Sequence, residues 1–299
     1  MYLIGIFMCS RRASPVIAID GGGTRCRLVL DGPDGRHMVE VGSANISTDF
    51  DAAIAEIATG LAALAKAAGT GIASLLGLFA YAGLAGAIDA AIAARVAAAL
   101  PLRRVRVEDD RPSALRGALG SRDGAIAHFG TGSFFAIQVG GRMRLAGGWG
   151  SRLGDEGSAF WVGRSALSAT LEMVDGLIAP SDLTRDLLER FVSAGGIVAY
   201  AARATPAEIG AIARTVTEAA SMGDAAGRAI LGSGADYIAR VADRMGWVPG
   251  MALCLTGGLG PAYRDYLPTA LSGALVAPMA APIEGAVDLA RAFAAEGAR

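Results

Sequence analysis

The sequence predicts an α/β protein made of two related halves. A pattern of strand, glycine-rich turn, strand, turn and strand occurs over residues 15–41 and returns over residues 125–148. Segments with helical periodicity, such as residues 51–68 and 157–175, follow the two copies. A repeated architecture with little shared identity indicates two α/β domains related by duplication.

The elements of the first half follow one another in a regular order. They are strands at 15–20, 25–31 and 36–41, a helix at 51–68 capped by Asp49 or Asp51, a strand in "LLGLFAYAG", a helix at 87–100 that ends at Pro101, and a strand in "RRVRVED". The last of these strands delivers acidic residues to its end, where active-site groups are commonly found.

The second half repeats the three strands and continues mainly as helices. The further elements are helices at 157–175, 181–193, 206–222 and 224–245, a strand in "MALCLTGG" and a closing helix at 284–296. We therefore expect a first domain over residues 1–118 and a second domain over residues 119–299. The last helix, 284–296, is a candidate for packing back on the first domain.

Composition excludes several classes of protein. Apolar residues make up 53% and charged residues 18% at a net charge of −1, so the chain has material for a core and no basic stripe for nucleic acid. The cysteines at positions 9, 26 and 254 are far apart and fit no metal-ligand spacing, which favours a reducing cytosol without structural disulfides.

Two apolar segments imitate membrane-directed sequences. Residues 71–88 carry no charge, but their glycines and the lack of a basic flank favour a buried strand that runs into a glycine-rich turn. No basic segment precedes the opening "MYLIGIFM", so we interpret it as an irregular start, with Met8 as an alternative initiator, and not as a signal peptide. We expect a soluble, cytoplasmic protein whose partners are neither nucleic acid nor membrane.

The segment "DGGGT" raises the question of what approaches its backbone. Successive glycine N–H groups form a concave nest that binds anions, most often phosphate. A Walker loop requires a lysine after its glycines, and the single lysine, Lys66, lies in a predicted helix. A dinucleotide-binding fingerprint requires a third glycine followed by a helix, but Cys26 stands at that position and a strand follows.

With the Walker loop and the dinucleotide-binding fingerprint excluded, the remaining interpretation is a glycine turn inside a hairpin that carries an acid on its first strand. This turn is repeated as "FGTGS". Either turn alone is typical of a tight bend, but two turns at matching positions favour clamping of a nucleotide's phosphates. Asp20 is then the candidate ligand of Mg²⁺, through water. The candidate phosphate-binding residues are Gly21, Gly22, Gly23 and Thr24 in the first turn, and Gly130, Thr131, Gly132 and Ser133 in the second.

These segments resemble a known superfamily. The pairing of "DGGGT" with "GTGS" resembles the sugar-kinase, actin and heat-shock ATPase superfamily. The segment "GGWGSRLGDEGSAFWVGRSAL" resembles its N-acetylglucosamine and glucosamine kinase branch, of the BadF/BadG/BcrA/BcrD ATPase type. The segments "GSAN", "GLAG", "DDRPSALRGAL", "LTGG" and "PIEGAVDLA" match further motifs in order, over roughly residues 15–293. The resemblance implies two actin-like (ribonuclease H-like) domains with a nucleotide and sugar cleft between them.

The resemblance also implies roles for individual residues. Asp110, which precedes the "xxxALxGA" stretch, corresponds to the catalytic base, although relatives often carry asparagine where this chain has Asp109. Taken alone, Asp110 is also a candidate helix cap, Asp155 and Glu156 are also candidates for complementing a helix dipole, and Trp149 is equally a core residue. The implied sugar-binding residues are Asn45, Thr131, Gly148, Trp149, Gly150, Asp155 and Glu156, and the implied adenosine-binding residues are Thr256, Gly257 and Gly258. His37 and His128 are interpreted as structural.

The implied function is ATP-dependent phosphorylation of the 6-hydroxyl of an amino sugar, with ATP and Mg²⁺ as cofactors. N-acetylglucosamine is the favoured substrate, and glucosamine or another hexosamine is the alternative. An ATP-hydrolysing activator protein of the same family is the alternative from another class, although the cysteines match no iron–sulfur arrangement. A sugar-sensing regulator would require a DNA-binding segment, which the sequence does not show. We further expect a homodimer.

Overall fold

A computed structural model describes residues 14–297. The opening "MYLIGIFM", its alternative initiator Met8 and Cys9 lie outside the described residues. The chain divides into two compact units. Unit 1 comprises the residues up to Gly117 together with those from Ala280 onward, and unit 2 comprises Ala118–Met279.

Unit 1 is built on a mixed five-stranded sheet. Its strands are β1 (Val16–Gly21), β2 (Cys26–Gly32), β3 (Gly35–Val41), β4 (Phe79–Leu84) and β5 (Arg104–Glu108), in the order β3-β2-β1-β4-β5. β1 pairs antiparallel with β2 and parallel with β4, and β4 pairs parallel with β5. The parallel strands therefore end at the same edge of the sheet, which brings together Asp20 near the end of β1 and Asp109 and Asp110 after β5.

Besides the last helix of the chain, three α-helices begin in unit 1, namely α1 (Phe50–Ala67), α2 (Ala90–Ala99) and α3 (Arg111–Leu119). Asp49, and not Asp51, caps α1, because its side chain accepts the N–H of Ala52. α1 packs tightly on the sheet, since a Cβ at Gly60 would lie only 2.4 Å from a methyl of Leu28 in β2. The uncharged segment 71–88 contains β4, as expected. Among residues 14–297, no helix combines the length and apolar character needed to cross a membrane.

Unit 2 repeats the hairpin arrangement on a four-stranded sheet. Its strands are β6 (Gly124–Phe129), β7 (Ser133–Val139), β8 (Arg142–Gly147) and β9 (Ala252–Thr256), in the order β8-β7-β6-β9. As in unit 1, the strand before the glycine turn pairs antiparallel with the next strand and parallel with a distant one. The predicted α/β class, with two strand–turn–strand repeats, is confirmed.

The helices of unit 2 enclose the larger core of the described chain. They are α4 (Ala159–Val174), α5 (Asp182–Arg190), α6 (Ala194–Ala201), α7 (Pro206–Gly210), α8 (Ala213–Ser221), α9 (Ala225–Met245) and α10 (Thr269–Ser272). Two predictions were wrong here. The helix expected at 206–222 is broken after Gly210, whose Cβ position lies 3.3 Å from the backbone of α4. α6 was not predicted, because glycines 195 and 196 in its first turn weaken the helical pattern.

The last helix, α11 (Pro282–Gly297), belongs to unit 1. It packs on β1 and β4, with Ile283, Ala286, Val287 and Ala290 buried against the sheet. A bidentate pair between Arg36 and Glu284 holds its first turn, with N–O distances of 2.6 and 2.8 Å. An ion pair between Arg291 and Asp31 holds its middle.

Candidate active site

The first glycine turn closes the β1–β2 hairpin of unit 1. The N–H of Gly22 donates to the carbonyl of Arg25 at 3.0 Å, which leaves Gly23 and Thr24 exposed at the tip. Gly21 is required by close packing, since a Cβ there would lie 2.6 Å from Leu84. The turn therefore projects from the same sheet edge at which β4 ends.

Two partly buried carboxylates, those of Asp20 and Asp110, lie at this edge of unit 1. Asp20 lies near the end of β1 beside Gly83 of β4. A Cβ at Gly83 would lie 2.7 Å from Oγ of Ser113 and 3.5 Å from the Cα of Asp110. Burial raises the pKa of Asp20 to about 6, against the opposing charges of Arg27 and Arg25. Glycine at position 83 thus lets the start of α3 approach β4 closely, a role that the sequence alone did not reveal. The only signal was a glycine inside a buried strand.

Asp110 has the more strongly shifted pKa of the two. Burial, followed by the nearby charges of Asp109 and Asp20, raises its pKa to about 7. Its backbone carbonyl accepts from the hydroxyl of Ser113 at 2.7 Å and from the N–H of Ala114 at 3.1 Å. A carboxylate with this pKa is matched to accepting a proton near neutral pH.

Asp109 forms a separate, buried ion pair with Arg111. Its Oδ1 accepts the backbone N–H of Arg111 at 3.0 Å and the Nε at 2.5 Å. Both side chains are only about a tenth exposed. The side chain that accepts an N–H at the start of α3 is therefore that of Asp109, and the charge of Asp109 is balanced locally by Arg111.

Asn45 lies in the loop between β3 and α1. Its Oδ1 accepts from the N–H and the hydroxyl of Ser47, at 3.0 and 2.7 Å, so it does serve as a turn residue. Its Nδ2 lies 3.8 Å from the Cβ position of Gly23 and so faces the first glycine turn. The same side chain can therefore stabilise the turn and present an amide donor.

The second glycine turn, in unit 2, is seated on the start of α4. The N–H of Gly130 donates to the carbonyl of Gly132 at 2.9 Å. The carbonyls of Gly130 and Thr131 accept the N–H groups of Ala159 and Phe160. The buried hydroxyl of Ser133 donates to the carbonyl of Glu156 at 2.8 Å. Thr131 remains exposed at the tip of the turn.

Asp155 is buried beneath this second turn. It has a left-handed φ of 62° and is 7% exposed. Its Oδ1 makes no hydrogen bond, and a Cβ at Gly132 would lie 2.7 Å from its Oδ2. Burial raises its pKa, although the N–H groups of Ser133 and Gly150 oppose the shift. Ser158 caps α4, so Asp155 is not the cap of that helix. A strained, buried acid with an unpaired oxygen is suited to binding a ligand hydroxyl.

The segment before Asp155 is shaped by glycines. Gly148 and Gly150 have positive φ values of 75° and 83°. Trp149 between them is 63% exposed, so it is not a core residue. Glu156, on the other side of Asp155, hydrogen-bonds the phenol of Tyr237 on α9. No pattern in the sequence indicated a role for that tyrosine.

A cavity of about 750 Å³ opens beside the second turn within unit 2. It is mainly apolar, and the predicted site residues that line it are Gly130, Thr131 and Gly258. Sequence reasoning missed the rest of the wall, which consists of Phe129, Ala159, Gly210, Ala211, Ala213, Arg214, Thr217, Leu259, Pro261 and Ala262. Much of it comes from the break between α7 and α8, for which no local signal exists.

The remaining predicted adenosine-loop residues shape this cavity without lining it. Gly257 has a φ of 79°, and a Cβ there would lie 2.3 Å from the carbonyl oxygen of Phe129. The Thr256 hydroxyl lies 3.0 Å from Nδ1 of His128. His128 also stacks on Phe134 at 5.0 Å, and burial lowers its pKa, in line with a structural role. His37 is half-exposed on β3.

The donor groups of unit 1 suit one kind of metal. Within the described residues, no group of three or more histidine, cysteine, aspartate or glutamate side chains forms a metal cage. Mg²⁺ does not need one, because it is commonly held by one or two carboxylates, water and substrate phosphates. The partly buried carboxylate of Asp20, whose raised pKa a cation would lower, fits such a role.

Known proteins share this architecture. A glucosamine kinase, GspK, from Vibrio cholerae is 27% identical over 278 residues, which cover 92% of this chain and 95% of the relative. An N-acetylmuramic acid/N-acetylglucosamine kinase from Clostridium acetobutylicum is 30% identical over 229 residues, which cover 72% and 74%. The crystal structure of a candidate N-acetylglucosamine kinase from Chromobacterium violaceum aligns with a TM-score of 0.78 and 33% identity. That alignment covers 93% of this chain and 99% of the other.

The expected relationship to sugar kinases is confirmed by these proteins. A model of one family matches residues 17–290, nearly the whole of the described chain. The chain belongs to the BadF/BadG/BcrA/BcrD ATPase family.

Proposed function

We propose that the protein transfers the terminal phosphoryl group of ATP to the 6-hydroxyl of an amino sugar, with N-acetylglucosamine as the favoured substrate. The observation that carries the proposal is the partly buried Asp110, whose pKa of about 7 suits a base, next to a second carboxylate, Asp20. The kinases named among its relatives support an amino sugar as the acceptor.

In this proposal Asp110 accepts the proton of the attacking hydroxyl. Phosphoryl transfer requires mainly positioning and charge stabilisation, and an aspartate that accepts the hydroxyl proton is the usual base. Mg²⁺ would supply positive charge to the phosphates, and Asp20 would hold it. Backbone N–H groups of the two glycine turns, Gly21–Thr24 in unit 1 and Gly130–Ser133 in unit 2, would orient the phosphates. The N–H groups of Gly22, Gly130 and Ser133 are not among them, because they already donate within the protein.

The nucleoside would occupy the apolar cavity of unit 2. Gly258 and the Gly130–Thr131 turn both line it, so a base there lies next to groups that can hold phosphates. Thr256 and Gly257 would act indirectly by shaping the wall. A volume of about 750 Å³ is in the usual range for a small-molecule site.

Sugar recognition would rely on side chains with free hydrogen-bonding capacity. Asp155 has an unpaired oxygen, Asn45 has a free amide donor, and Glu156 is oriented by Tyr237. Carboxylates of this kind accept paired hydrogen bonds from sugar hydroxyls. Exposed Trp149, between Gly148 and Gly150, would cover one face of the ring.

Glucosamine and other hexosamines are the alternatives for the acceptor. The activator alternative is not favoured, because Cys26 and Cys254 are fully buried in their sheets and cannot present thiolates to a surface iron–sulfur cluster. Burial raises the pKa of Cys26 to about 12 and that of Cys254 to about 11. We also propose a homodimer, which light scattering on the purified protein would test.

An ADP-release assay over several acceptors tests the proposal. We expect turnover with N-acetylglucosamine or glucosamine, slower turnover with glucose, and none with the 6-deoxy analogue of the preferred sugar. Turnover with the 6-deoxy sugar would show that another hydroxyl reacts. ATP hydrolysis at the same rate without any sugar would contradict a kinase and favour an activator.

A further inference from the structure

The loop that carries Asn45, residues 42–46, is fixed at its middle and its end by backbone hydrogen bonds. The N–H of Ala44 donates to the carbonyl of Gly22 at 3.1 Å, and the N–H of Ile46 donates to the carbonyl of Ala85 at 2.9 Å. These bonds tie the loop to the first glycine turn and to the segment after β4. They do not hold its first residue.

A side chain from α1 holds that first residue. The N–H of Gly42 donates to Oε1 of Glu56 at 2.5 Å. A Cβ at Gly42 would lie 3.0 Å from Oε1 and 3.6 Å from Oε2, so the carboxylate covers this residue closely. A hydrogen bond from an N–H to a carboxylate is shorter and stronger than one to a neutral acceptor.

The conformation of this loop decides where Asn45 points. Oδ1 of Asn45 accepts the N–H and the hydroxyl of Ser47, which identifies this atom as the amide oxygen. The N–H groups of Nδ2 remain as the free donors of the side chain. Asn45 is separated from Gly42 by only two residues. A change in the path of the chain at Gly42 therefore moves the position of Nδ2.

We propose that Glu56 is a positioning residue for the acceptor sugar, and that it acts by holding Gly42 so that Nδ2 of Asn45 meets a sugar hydroxyl. This inference rests on the proposed function and extends it to a residue outside the family motifs. Gly42 is exposed, so water can replace Glu56 as the acceptor of its N–H. Loss of Glu56 therefore loosens the loop without leaving a buried donor unpaired.

The test is a comparison of Glu56→Ala and Glu56→Gln in the sugar kinase assay. In Glu56→Ala we expect the KM for the sugar to rise about tenfold, equivalent to about 1.4 kcal/mol, with little change in kcat or in the KM for ATP. Glu56→Gln keeps an acceptor at the same place and should recover most of the sugar affinity. Asp51→Ala, which removes an exposed acid from the first turn of the same helix, is the matched control.

A double-mutant cycle with Gly42→Ala separates positioning from a general loss of stability. The added methyl group meets Glu56 in the normal chain and should raise the sugar KM there, but it should have no further effect once Glu56 is alanine. Hydrogen exchange at the Gly42 amide should be fast in Glu56→Ala and slow in the parent protein.

Three results would overturn the inference: an unchanged sugar KM in Glu56→Ala, equal increases in the KM values for sugar and ATP, or additive effects of Gly42→Ala and Glu56→Ala. Failure of the proposed function looks different, because the parent protein would then phosphorylate no amino sugar in the same assay.

Discussion

The carboxylate of Asp109 and the guanidinium of Arg111 form a buried ion pair directly beside Asp110. This pair balances the charge of Asp109, yet Asp109 still contributes to the raised pKa of Asp110 through its charge and a hydrogen bond. The two neighbouring aspartates therefore have different tasks. Asp109 anchors the start of α3, and Asp110 is the candidate base.

Replacing Asp109 by asparagine should lower the pKa of Asp110, because one neighbouring negative charge is removed while Arg111 keeps its positive charge. A base with a lower pKa stays deprotonated to lower pH. We therefore expect the acidic limb of the kcat/KM profile to move to lower pH, with kcat at pH 8 changed by no more than a few-fold. Rate measurements between pH 5 and pH 9 would show this.

The same variant should be less stable than the parent protein. Removing one partner of a buried ion pair costs about 3–5 kcal/mol, and we expect the lower end because asparagine retains a hydrogen bond. Denaturant unfolding gives this value. A variant with unchanged stability would show that the Asp109–Arg111 pair contributes little to folding.

Asp155→Asn should weaken binding of the sugar far more than binding of ATP. Asparagine tolerates the left-handed φ of 62°, so the loop is retained while the charge is lost. Hydrogen bonds to a charged group contribute about 1.5–3 kcal/mol, so the sugar KM should rise about 10- to 100-fold. Asp155→Gly, which also accepts this φ, should raise the sugar KM further. If both variants keep the parent sugar KM and kcat, Asp155 has only a structural role.

Gly258→Val should raise the KM for ATP by about tenfold or more. No atom lies within 4 Å of a Cβ at this position, so the side chain fits the free protein and projects from the wall of the apolar cavity. The sugar KM should change little. Gly77→Val, which also meets no atom within 4 Å, is the matched control in unit 1. Normal ATP affinity in Gly258→Val would exclude this cavity as the nucleoside site.

The sequence predicted the features that depend on local patterns. Both hairpins, their glycine turns and the acids near the end of β1 and after β5 follow from strand alternation and from glycine at fixed positions. The role of Gly83 was not predictable, because it depends on the register that places it beside Asp20 and near Asp110. The cavity wall at Arg214 and Thr217 was missed for a similar reason, since it is formed by residues far from Gly130 in the chain.

The partners of the candidate acids were not predictable from the sequence either. Arg111 follows Asp109 by two residues, the spacing at which an aspartate commonly accepts a backbone N–H, but the ion pair between the two side chains depends on how α3 begins. Glu56 meets Gly42 because α1 packs across β3. Such contacts arise from tertiary packing, which a periodic pattern does not specify.

Asp110→Asn should lower activity and raise stability at the same time. Asparagine cannot accept the hydroxyl proton, and loss of a general base typically lowers the rate by about 10²–10⁴-fold. ATP binding, measured by calorimetry, should change little.

Because the folded-state pKa of Asp110 is raised to about 7, the folded state binds more protons than the unfolded state between about pH 4 and pH 7. Its stability therefore falls as pH rises through that range, and the asparagine variant avoids this loss. We expect its melting temperature to exceed that of the parent protein at pH 8 and the difference to shrink towards pH 4. A variant that is inactive but gains no stability at pH 8 would contradict the raised pKa, and an active variant would exclude Asp110 as the base.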